Sequence, residues 1–127
     1  YSAEVPNNTT QILYYATSSD GLSWQKKGMA LDSRNNTFKG LIDGAELVKW
    51  DDGQIRLYFW SYKGIFHTVW EDGQFNQNPE FDFTNQEDGQ KPFPPNPPGD
   101  PTLAKIKDQW YMYFGQHEKG IYYVSYQ

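Results

Sequence analysis

Carboxylates, two histidines and a high density of aromatic rings are the reagents this sequence offers. Cysteine is absent, so disulfides, thiolate chemistry and Cys-based zinc sites are excluded. Nothing matches a phosphate-cradling Gly loop, a nucleophile elbow or a zinc-protease helix. Aromatic residues make up 18% of the 127 positions. Flat rings stack on the apolar faces of sugars, while acidic and amide side chains bond their hydroxyls. A carbohydrate is therefore the ligand class this composition suits, although an ordinary β core calls for the same rings. The net charge of −5 and a pI near 4.8 argue against nucleic acid, whose affinity rests on Lys and Arg displacing counterions.

Asp100 stands directly before Pro101, where an acidic side chain is set at the mouth of a strand. Its structural alternative is routine, since Asp beside Pro often accepts backbone donors in a turn. His67 and His117 are too far apart to form a metal signature, and Asp51-Asp52-Gly53 and Glu71-Asp72-Gly73 lack the spacing of a calcium loop. No metal site is expected. Trp50, Trp60 and Trp110 are candidate sugar platforms, with packing between sheets as the competing role; His117 is a candidate beside them.

The elements that must position these residues are all strands. Ile12 to Ser18 and the stretch starting at Ser23 form a hairpin around Ser19-Asp20-Gly21, because Gly accepts the positive φ of a tight turn. Ala45–Trp50, Ile55–Ser61, Ile65–Trp70 and Glu80–Thr84 read as a four-stranded antiparallel meander, the unit of a propeller blade. Lys91 to Pro98 holds five prolines and reads as an extended connector, since proline supplies no ladder donor. Thr102–Ile106, Gln109–Gly115 and Gly120–Tyr126 form a last, three-stranded group. Gly99 to Gly115 has an imperfect copy in Gly44 to Trp60, which signals repetition. Leu57-Tyr58-Phe59-Trp60 and Trp110-Tyr111-Met112-Tyr113-Phe114 are apolar on both faces, as in strands sandwiched between sheets. Residues 1–10 are polar and without period, a frayed lead-in or an edge segment.

Ser18-Ser19-Asp20-Gly21-Leu22-Ser23-Trp24, Asp52-Gly53-Gln54-Ile55-Arg56-Leu57-Tyr58-Phe59 and Gly99-Asp100-Pro101-Thr102-Leu103 resemble blade motifs of the five-bladed propellers of the arabinanase, levansucrase and invertase superfamily. The resemblance covers most of Ile12 to Tyr126. It implies an all-β fold of antiparallel four-stranded blades, roughly two to two and a half per chain, in one partial-propeller domain over 1–127. The parts would be an incomplete first blade (11–31), a complete blade (44–84), a Pro-rich connector (85–99) and an incomplete last blade (100–127). It also implies glycoside hydrolase chemistry, in which two carboxyl groups flank the scissile bond. By that resemblance Asp100 is the general base or nucleophile. The acid falls at Asp43, aligned through Lys49, or at Glu46 three residues on; the family's Glu-x-Pro pattern is broken there.

Half a propeller leaves apolar flanks and unpaired edges, so a homo-oligomer, with a dimer favoured, is expected to close the ring. The ligand would be a carbohydrate, with no nucleic acid and no membrane as partner. Members of that superfamily can hold an ion in the axial channel, so calcium is the one cofactor considered; none is expected. No apolar run approaches the roughly 20 residues that span a bilayer, and an extracellular or periplasmic location is expected over a cytoplasmic one. The competing functional reading is a carbohydrate-binding or purely structural half-propeller without catalysis.

Overall fold

The computed structural model describes residues 1–4, 10–84, 97–116 and 119–126. The expected 85–96 part of the connector and His117 lie outside them. Within the described residues every regular element is a strand, and every pairing is antiparallel.

Among the described residues, three sheets follow one another along the chain. The first holds β1 (Ser2–Glu4), β2 (Gln11–Thr17) and β3 (Gln25–Leu31) in that order. The polar lead-in thus takes the edge-segment alternative, pairing Glu4 with Gln11. The second holds β4 (Asp43–Lys49), β5 (Ile55–Ser61) and β6 (Gly64–Glu71), with β7 (Gln74–Phe75) and β8 (Glu80–Phe83) both paired to β6. The third runs β9 (Pro98–Ile106), β10 (Gln109–Gln116) and β11 (Gly120–Ser125). β9 opens at Pro98, inside the span read as connector. Proline is tolerated there because it is the first residue of an edge strand, where no ladder donor is required.

The second sheet is the middle layer, and its alternation shows it. Leu57, Phe59 and Phe66 pack with Leu13, Leu31 and Phe38 in a core shared with the first sheet. Tyr58 and Ile65 pack with Met112 and Phe114 in a second core shared with the third sheet, with Trp60 against its margin. Successive residues of β5 point to opposite faces, so Leu57-Tyr58-Phe59-Trp60 feeds both cores in turn. Phe59 and Tyr58 are fully buried; truncating either would cost on the order of 3–5 kcal/mol.

Two irregularities place the residues of interest. On β4, Asp43 faces Trp60 and Glu46 faces Tyr58, so Gly44 and Ala45 together stand opposite Phe59. On β9, Gly99 faces Gly115 and Thr102 faces Tyr113, so Asp100 and Pro101 stand opposite Phe114. These are the same β-bulge in two copies. The left-handed residue is Gly44 in one (φ 60°) and Asp100 in the other (φ 50°).

Candidate functional site

The two bulges meet. A side chain on Gly44 would overlap Asp100 Oδ1 and come within 2.6 Å of Cδ1 and Nε1 of Trp60, so only glycine leaves room for that pair. Trp60 Nε1–H donates to Asp100 Oδ1 at 3.2 Å, from the second sheet to the third. The indole also lies against Gly99, where an added Cβ would stand 3.5 Å from the ring. On the other side of Gly44, its own amide donates to Asp43 Oδ1 at 2.9 Å, and Gln11 Nε2 donates to Asp43 Oδ2 at 3.4 Å. Chained through the Gly44 backbone at standard bond lengths, the carboxylates of Asp43 and Asp100 stand within roughly 8 Å of each other. Asp100 is exposed and Asp43 half-buried.

Glu46 is not part of this pair. Its Oε2 accepts the amide of Leu103 at 3.0 Å, so the carboxylate satisfies a donor on the edge strand β9 and pins the second sheet to the third. It faces Tyr58, two ladder positions from Asp43, because the bulge inserts an extra residue between them.

Of the tryptophans, Trp60 joins the two aspartates, whereas Trp50 and Trp110 stand at the far end of β4, roughly 20 Å from Asp43 at strand rise. There they stack on each other, centroids 4.4 Å apart and planes at 12°. The Arg56 guanidinium sits 4.1 Å from the Trp50 ring. Two planar groups at those distances cannot share a face, so both faces of Trp50 are occupied. Asp51 closes this end, accepting Lys105 Nζ at 2.8 Å and Trp110 Nε1–H at 3.1 Å. The Lys105 ammonium holds the Asp51 carboxyl below the usual range.

His67 lies in the core between the second and third sheets. Its Nδ1 is 2.9 Å from both carboxylate oxygens of Asp82, and its ring stacks on Tyr58. Burial pushes the Tyr58 hydroxyl up to about 12. Among the described residues no group of three or more His, Cys, Asp or Glu gathers as a metal site would require. In the first hairpin Asp20 accepts the amides of Ser23 and Leu22 at 2.8 Å each, and these hold its carboxyl at about 2. Trp24 donates Nε1–H to Gly21 O at 3.2 Å, docking on its own turn. An apolar cleft of about 520 Å³ separates the first two sheets, with Tyr15, Leu47 and Phe75 in its wall.

Gln11 and Gly44 belong to the site and carry no motif signal. The repeat read from the sequence sets Gly44 against Gly99, and the two bulges shift that register by one, setting Gly44 against Asp100.

No family model matches this chain, and no curated protein does. Among solved structures, the chain is similar to an endo-1,4-β-xylanase from Bacteroides thetaiotaomicron VPI-5482, with a TM-score of 0.66 at 14% identity. The match takes in 99% of this chain and 42% of that one. It shares a fold. At that identity the likeness concerns fold alone, and the chain spans less than half the length of that xylanase. The protein is all-β, in antiparallel sheets, and among the described residues no helix is long and apolar enough to cross a membrane.

Proposed function

We propose that this chain is part of a carbohydrate-active β-propeller of the glycoside hydrolase type, its three sheets being blades or parts of blades, with Asp43 and Asp100 as the two carboxyl groups. The observation that carries this is their approach across Gly44, within roughly 8 Å. That bound admits the wider spacing of an inverting pair and the closer one of a retaining pair. Asp100, exposed and tethered by Trp60, is the base or nucleophile, and Asp43 is the acid. Glu46, engaged with Leu103, is assigned a structural role. The substrate class is furanosidic or related pentose sugars, supported by the motif resemblance and by the fold shared with a protein described as a xylanase. The test is product analysis on aryl arabinofuranosides and xylo-oligosaccharides. Turnover should occur and disappear in both Asp100→Asn and Asp43→Asn; turnover that survives either change refutes the assignment.

A second reading, sugar binding without turnover, is favoured by one observation. The position that should supply a long acid holds Asp43, whose Oδ1 is turned back onto the next amide. Calorimetry showing saturable oligosaccharide binding with no product would select it.

The outer sheets support self-association. β11 is exposed along most of its length, with Ile121 at 81% and Tyr123 at 63%. A second copy covering these flanks would extend the ring, and light scattering should then report a dimer at micromolar concentration; a monomer would refute it.

A further inference from the structure

We propose that Trp60 is a positioning residue that sets the gap between the two carboxylates, not a platform for sugar; this deepens the reading of Asp100 and Asp43 just given and rests on it. Trp60 is fixed to both. Its backbone faces Asp43 on the β4–β5 ladder, and its side chain donates to Asp100 Oδ1 at 3.2 Å. One residue therefore ties an acid of the second sheet to an acid of the third. The ring itself is held in a slot, with its indole against Gly99 and its Nε1 edge facing Gly44, two positions without side chains. Asp100 depends on that tether. It is a non-glycine residue at φ 50°, exposed, at a bulge on an edge strand, so its own backbone does little to fix where the carboxylate points. An indole N–H suits the task because it donates and cannot accept. It holds one oxygen of Asp100 without competing for a proton, and leaves Oδ2 to act on water or on the sugar carbon.

The experiment has one arm that needs no activity. Of the five tryptophan indole N–H signals in a ¹H–¹⁵N spectrum, the one missing in Trp60→Phe belongs to Trp60. Asp100→Ala should move that signal and speed its solvent exchange at least tenfold, while the other four stay in place and report an intact fold. An unmoved Trp60 signal overturns the proposal. The second arm is kinetic. Trp60→Phe keeps a ring against Gly99 and removes the donor, so kcat should fall ten- to a hundredfold at unchanged KM. A rise in KM at unchanged kcat would mark Trp60 as a sugar contact and also overturn it. If the unsubstituted protein turns over no substrate, the catalytic reading fails by that result, and the indole signal alone decides whether the tether exists.

Discussion

Gly44→Ala is the most informative substitution, because two separable costs fall on it. Alanine at φ 60° costs about 1–2 kcal/mol for entering the left-handed region. The new methyl group would also overlap Asp100 Oδ1 and stand 2.6 Å from the Trp60 ring edge, so both must retreat by roughly an ångström, an overpacking term of about 1–3 kcal/mol. Gly53→Ala is the matched control. It too has positive φ, at 84°, but nothing lies within 4 Å of its Cβ position, so only the backbone term of about 1–2 kcal/mol applies. Equilibrium unfolding in urea should place Gly44→Ala about 2–5 kcal/mol below the parent, clearly beyond Gly53→Ala. The Trp60 indole signal should move in the first variant and not in the second. Turnover, if present, should fall about a hundredfold with Gly44→Ala, since an ångström of misplacement costs that much. Equal destabilisation of the two variants, with the Trp60 signal unmoved in both, would refute the contact between the bulges.

Four further outcomes are expected. Tyr58 is buried with its hydroxyl raised to about 12 from an ordinary 10. The folded state holds that proton more tightly than the unfolded one, so stability falls as pH rises from 10 through 12, by up to about 3 kcal/mol, and Tyr58→Phe should flatten urea midpoints across that window. Asp20 behaves in the opposite sense: lowered to about 2 from 3.8, it contributes stability above pH 4 that is lost as pH falls towards 2, and Asp20→Asn should remove that acid limb. Asp82→Ala leaves the buried His67 Nδ1 without its hydrogen-bond partner and should cost about 1–3 kcal/mol by urea unfolding; a loss indistinguishable from zero would mean the pair is not buried in solution. Ile121→Lys should lower the mass seen by light scattering, and an unchanged mass would remove β11 from the interface.

Much of the strand order was legible because its signals are local. Asp-Gly turns, alternation and the two-faced aromatic run on β5 each declare themselves within a few residues, and the structure answers Leu57-Tyr58-Phe59-Trp60 with a core on each side. The β1 edge was harder, since a polar three-residue strand has no period and owes its place to the partner β2. The candidate site was legible only in part. Asp100, Asp43 and Trp60 were marked by residue type and motif, but nothing in the sequence says that they adjoin, because the contact crosses two sheets and depends on two bulges. Glu46 illustrates the difficulty: its residue type suits an acid, and its fate is decided by an amide at Leu103, fifty-seven residues away. Trp50 and Trp110 suit a sugar as well as Trp60 does, and only their mutual stacking shows how their faces are used.

The duplicated bulge has a consequence for how this chain can change over evolutionary time. Gly44 and Asp100 hold the same place in two copies of one hairpin and lie against each other, so a side chain on Gly44 would have to displace the Asp100 carboxylate and the Trp60 ring. One copy of the bulge carries the carboxylate, and the other leaves the space beside it open. Enlarging residue 44 displaces the aspartate at 100 from the place it holds beside Trp60, so keeping that geometry favours glycine at 44. The two sites are expected to vary together across descendants of this sequence, as a linked pair, even though fifty-five residues separate them.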